Sequence, residues 1–125
     1  MSDISPRLAD ALALLESLDP AAPEKVKANL DAFSSETAEL VLGWSFTDIV
    51  SRPGIDLKTR EMMTVAMLAA MGTAQGQLEF HARAALNVGV SREELVEIVL
   101  QVAVYAGVPA AMNAITAVKQ AFEAA

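Results

Sequence analysis

The chain has 125 residues, enough for one hydrophobic core, and its 54% hydrophobic content with only 5% aromatics favours packed helices built from Ala, Leu, Val, Ile and six Met. The absence of cysteine excludes disulfides, thiolate nucleophiles and thiolate-held clusters, and a single histidine excludes HExxH zinc sites and multi-histidine cages. Nine basic against sixteen acidic residues give a net charge of −7, which repels a phosphate backbone and argues against nucleic acid as a partner.

Punctuation residues divide the sequence into about six to seven helices, and no segment alternates with the period of a strand. Ser5 with Pro6 opens a first helix that runs to about Leu18, where Asp19-Pro20 closes it. Pro23 starts a short second helix through about Phe33, and Ser34 or Ser35 caps a third that reaches roughly Val50. Arg52-Pro53-Gly54 then turns the chain, and Asp56 caps a fourth helix ending at Gly72. A fifth covers about Ala74 to Val88 and stops at Gly89. The sixth begins at Ser91-Arg92-Glu93-Glu94, which has the spacing of a capping box, and ends at Gly107; Pro109 begins the seventh. The expectation is an all-α single domain, 1–125, without repeats or linkers.

Two helices are unusually apolar. Met62 to Met71 offers only Thr64 as a polar side chain, and Leu95 to Tyr105 offers only Glu97 and Gln101. Such helices are expected to be buried nearly all round, and in a chain this short that implies a subunit interface. The uncharged run 98–118 is long enough for a bilayer, but Gly107-Val108-Pro109 interrupts it, so two helices are expected rather than a membrane span. Met1 to Pro6 lacks the basic and apolar regions of a signal peptide, and a cytoplasmic location is expected.

The polar candidates are few. His81, the sole imidazole, shares a small apolar helix stripe with Gln77, Ala84 and Val88, and could act as an acid or base or simply be a satisfied core histidine. Asp48 and Arg52 are four residues apart at the end of the third helix. They could form a surface ion pair, or Arg52 could fork onto a substrate carboxylate. Glu61 opens the fourth helix on the face of Leu57, Val65 and Leu68, where a carboxylate complements the helix terminus or serves as an acid or base. Tyr105 sits two residues before a helix stop, and Asn87 belongs to a helix-ending turn.

Three blocks carry a resemblance: Asp48-Ile49-Val50-Ser51-Arg52-Pro53-Gly54-Ile55-Asp56, His81 to Val90, and Leu100 to Ala111. Together they resemble the carboxymuconolactone decarboxylase family over about Phe46 to Phe122, with residues 1–45 as divergent N-terminal helices. The resemblance implies an alkylhydroperoxidase D-like all-α fold and a homo-oligomer, a hexamer built as a trimer of dimers. The peroxidase branch needs a CxxC seven and four residues before the matching histidine, where this chain has Ala74 and Gln77, so that activity is excluded.

The decarboxylase branch implies a small acidic lactone of the 4-carboxymuconolactone type as substrate, in aromatic-compound catabolism, with no metal or organic cofactor. It implies catalytic roles for Arg52 on a carboxylate and His81 as proton donor, with Glu61 near a position that is acidic in the peroxidase branch. Asp48, Gln77 and Tyr105 are the substrate-binding candidates. The decarboxylases usually carry Trp where this chain has Val50 and Glu where it has Asp48. A non-catalytic oligomer binding small carboxylates, or a lactone hydrolase or isomerase on the same fold, stays open as an alternative.

Overall fold

Ser5 Oγ accepts the Leu8 amide at 3.0 Å, and Pro6 follows it, so α1 (Pro6–Leu18) starts where a capped, proline-led helix should. This is seen in the computed structural model, which describes residues 4–125 and contains no strand among them. The chain gathers into two compact units, the first ending at Ile55 and the second spanning Asp56–Ala125. In the first, α1 turns at Asp19 into α2 (Ala22–Phe33), which has Pro in its first turn. Leu8, Ala11, Ala38 and Leu42 form its core, with Leu12, Val26, Leu30 and Phe46 packed against them.

The third helix departs from expectation. Ser34 does not cap it, and its hydroxyl instead accepts the Glu36 amide at 3.4 Å within a turn. Regular winding spans Ala38–Val50 as a π-helix, with no side-chain cap at Thr37. The Ser51 amide bonds the Phe46 carbonyl, five residues back, at 2.9 Å. Ser45 and Ser51 also turn their hydroxyls onto the Val41 and Thr47 carbonyls at 2.6 and 2.5 Å, a back-bonding that competes with tight α-winding.

In the second unit the local signals hold. Asp56 accepts the Thr59 amide at 2.7 Å and starts α3 (Leu57–Met71), which ends on Gly72 in the left-handed region at φ 71°. α4 (Gln75–Asn87) ends through Val88 to Gly89 at φ 102°, where the Val90 amide closes onto the Ala85 carbonyl. α5 (Arg92–Ala106) has the full reciprocal capping box between Ser91 and Glu94, and Lys58 of α3 reaches Glu94 at 3.2 Å. The run 98–118 breaks at Gly107, after which α6 (Val108–Ala124) begins; no helix among the described residues is long and apolar enough to cross a membrane.

The core of this unit combines Val65, Leu78, Leu95 and Val99 with buried alanines at 82, 85, 114, 117 and 121. Alanine on the facing sides of α4 and α6 lets the two helices lie close together, which explains how a composition poor in aromatics still packs. α3 and α5 are not buried all round, contrary to expectation. Only one side of each meets the core, and the other leaves Met63, Met67 and Met71 on α3 and Val96, Leu100 and Val104 on α5 exposed, Met67 at 59% and Leu100 at 56%. A unit of four helices has no further element to cover them.

Hydrogen bonds from the Ser91 backbone and from Thr59 hold the carboxyls of Glu94 and Asp56, respectively, below the usual carboxylate range. A lowered folded-state value adds stability that is complete above the unfolded-state value, about 4, and is lost as pH falls through the folded one. Urea midpoints measured against pH are therefore expected to drop on the acid side, and less steeply in Glu94→Gln. Ser91→Ala is expected to cost about 1 kcal/mol at neutral pH through loss of its cap.

Candidate acid–base site

Glu61 and His81 meet although twenty residues separate them. Glu61 lies in the second turn of α3, on the side that also buries Val65 and Ala69, so its helix carries the carboxylate inward. It is 3% exposed and is the only buried charged residue among those described. His81 lies midway along α4, and its Nδ1 stands 2.9 Å from Glu61 Oε1 and 3.1 Å from Oε2. Its side chain is 16% exposed, with the Phe80 ring tilted against it at 4.9 Å.

A buried carboxylate needs a donor, because stranding it costs far more than the hydrogen bond gains. With Glu61 ionised, His81 Nδ1 carries the hydrogen and donates, which fixes the ring and leaves Nε2 as the nitrogen that can trade a proton. The arrangement is that of an acid–base imidazole oriented by a carboxylate.

The other sequence candidates are placed differently. Gln77, one turn before His81, is exposed, and Tyr105 is 84% exposed on α5. Asp48 and Arg52 belong to the first unit, Arg52 in the exposed turn after the π-helix. The Asp48 carboxylate is held by Arg7 of α1 in a two-pronged ion pair, with Nε to Oδ1 at 3.2 Å and Nη2 on Oδ2. That hydrogen bonding keeps the Asp48 carboxyl below the usual range. Sequence reasoning missed Arg7 altogether; its partner lies 41 residues away, and the signal it left was only a lone arginine near a helix start.

A groove of about 360 Å³ opens between α3 and α5, floored by Met62, Ala66 and Ile98 and rimmed by Glu93, Glu97 and Gln101. His81 does not line it, and the carboxylates of the groove repel an acid. No three His, Asp or Glu among the described residues gather closely enough to hold a metal ion.

Fold and geometry together define an all-helical protein with a buried carboxylate–imidazole pair. The chain belongs to the carboxymuconolactone decarboxylase family, whose model matches residues 35–120. It is 34% identical over 95 residues to the 4-carboxymuconolactone decarboxylase of Acinetobacter baylyi, covering 76% of this chain and 70% of that one. It is 34% identical over 91 residues to the nitrosuccinic acid decarboxylase of Metarhizium robertsii, covering 73% of this chain and 63% of that one. An uncharacterized 15.0 kDa protein of Paracoccus denitrificans is 31% identical over 102 residues, 81% of this chain and 71% of its own length. The likeness to two decarboxylases supports an enzyme of the carboxymuconolactone decarboxylase type.

Glu61→Ala is expected to leave His81 Nδ1 without its acceptor and to lower stability by about 1–3 kcal/mol in urea denaturation. Glu61→Gln, which keeps an acceptor oxygen, is expected to lose clearly less. Equal losses in the two variants would mean that the pair does not organise this part of the core.

Proposed function

We propose that the protein is a decarboxylase acting on a small acidic lactone of the 4-carboxymuconolactone type, without metal or organic cofactor. The observation that carries this reading is the Glu61–His81 pair, which supplies an oriented proton carrier. When the carbon–carbon bond breaks and CO₂ leaves, its electron pair passes into the unsaturated lactone toward the carbonyl. The resulting enolate takes a proton on carbon from His81 Nε2, and solvent restores that proton. Arg52 is assigned the substrate carboxylate, since a guanidinium fork can hold it in place during bond cleavage. Gln77 and Tyr105 are the further substrate-contact candidates, and Asp48 contributes through Arg7.

The names of the two related decarboxylases support the substrate class. Both denote an acid that carries an electron-accepting group, a lactone in one and a nitro group in the other. We read the protein as a cytoplasmic homo-oligomer, a hexamer by family resemblance, associating through α3 and α5. On α3 the exposed apolar residues Met63, Met67 and Met71 recur every fourth position, as do Val96, Leu100 and Val104 on α5.

CO₂ release and ultraviolet loss of 4-carboxymuconolactone test the reaction. His81→Ala is expected to reduce kcat by about 10²–10⁴-fold while remaining folded, and Arg52→Ala to raise KM. Wild-type rates in both folded variants would contradict the assignment. Light scattering at micromolar concentration is expected to give a multiple of the 13.2 kDa chain mass, and a monomer mass would overturn the association.

A further inference from the structure

Arg7 touches the π-helix at three levels. Its guanidinium grips Asp48, stands 4.0 Å from Glu39, and lies across Gly43, where a Cβ would meet Nη1 at 3.1 Å and Cζ at 3.2 Å. The Arg7 carbonyl also accepts Thr47 Oγ1 at 2.7 Å, and Ser5 Oγ donates to Glu39 at 2.6 Å. The start of α1 therefore holds both ends of the π-helix.

These contacts depend on the winding. A helix bonded five residues back takes about 4.4 residues per turn, whereas an α-helix takes about 3.6. From Glu39, Gly43 is four residues on and Asp48 nine. At about 4.4 per turn those are close to one and two whole turns, so all three residues share a face. At about 3.6 per turn, Asp48 comes two and a half turns on and faces the opposite way. One arginine can reach Glu39, Gly43 and Asp48 together only while the segment is π-wound.

We propose that Arg7 is a positioning residue: its clamp on Glu39, Gly43 and Asp48 holds Ala38–Val50 in π-winding and so sets where Arg52, two residues beyond the helix, is presented. This rests on the reading of Arg52 as the carboxylate anchor. Rewinding to α would rotate every residue after Glu39 progressively further round the axis and lengthen the segment, and Arg52 at its end would move most.

Arg7→Met keeps the apolar stem and removes the clamp. In its crystal structure the Ser51 amide is expected to leave the Phe46 carbonyl for that of Thr47, four residues back. Trp44, the chain's sole tryptophan and midway along the segment, is expected to change its emission maximum in solution. KM for 4-carboxymuconolactone is expected to rise about tenfold, with kcat changed much less. Arg7→Lys keeps the charge without the fork and is expected to fall between. Lys27→Met, which breaks the unrelated Lys27–Asp31 pair, is expected to leave all readouts unchanged.

Asp48→Asn, which removes only the far grip, is judged by the same criteria and decides the matter if Arg7→Met does not fold. Retention of the Ser51–Phe46 bond overturns the control of winding by Arg7. A register shift with unchanged KM overturns the positioning of Arg52. A folded wild type without turnover would refute the decarboxylase reading, while the Ser51 partner still decides whether Arg7 sets the winding.

Discussion

A carboxyl group inside an apolar core has to be answered by a hydrogen-bond partner, and in this protein that partner is His81. Glu61 is carried inward by the same face of α3 that buries Val65 and Ala69, and the imidazole of α4 receives it at 2.9 Å. The contact ties α3 to α4 and orients the imidazole. The buried position that makes the carboxylate expensive also shields its hydrogen bond from competing water.

The two units solve their packing problems differently. The unit from Asp56 onward relies on local stops and caps and on an alanine-rich core, so its helices lie close and leave α3 and α5 with apolar outer faces. The first unit has a smaller core and adds polar ties. Ser5, Arg7 and Thr47 bind α1 to the π-helix through side chains rather than through added apolar area. The family match over residues 35–120 takes in the π-helix as well as α3, α4 and α5.

Much of the fold was legible because its signals are local. Ser5-Pro6, Asp56, Gly72, Gly89 and the Ser91–Glu94 box each act within one turn of the chain, and each lies where its residue type requires. The π-winding was not legible, because composition and spacing in Ala38–Val50 suit an α-helix equally well. What distinguishes the two is a contact with Arg7, far away in sequence. The burial of α3 and α5 was overstated for a related reason: an apolar stretch shows that a face must be covered, not which molecule covers it. At the site, His81 and Glu61 were each visible as residues of interest. Their partnership was not, since nothing in a helix stripe reveals what the neighbouring helix turns toward it.

In the proposed reaction Glu61 holds His81 with the hydrogen on Nδ1 and leaves Nε2 to exchange the proton. Nitrogen-15 NMR of the imidazole tests this directly, and with one histidine in the chain the signals need no assignment among residues. The expected result is a neutral ring with its hydrogen on Nδ1, facing Glu61, and a weaker preference for that tautomer in Glu61→Gln. A neutral ring protonated on Nε2, with Nδ1 bare toward Glu61, would mean that the carboxyl group is the donor and that Nε2 is not the free nitrogen the proposed reaction requires.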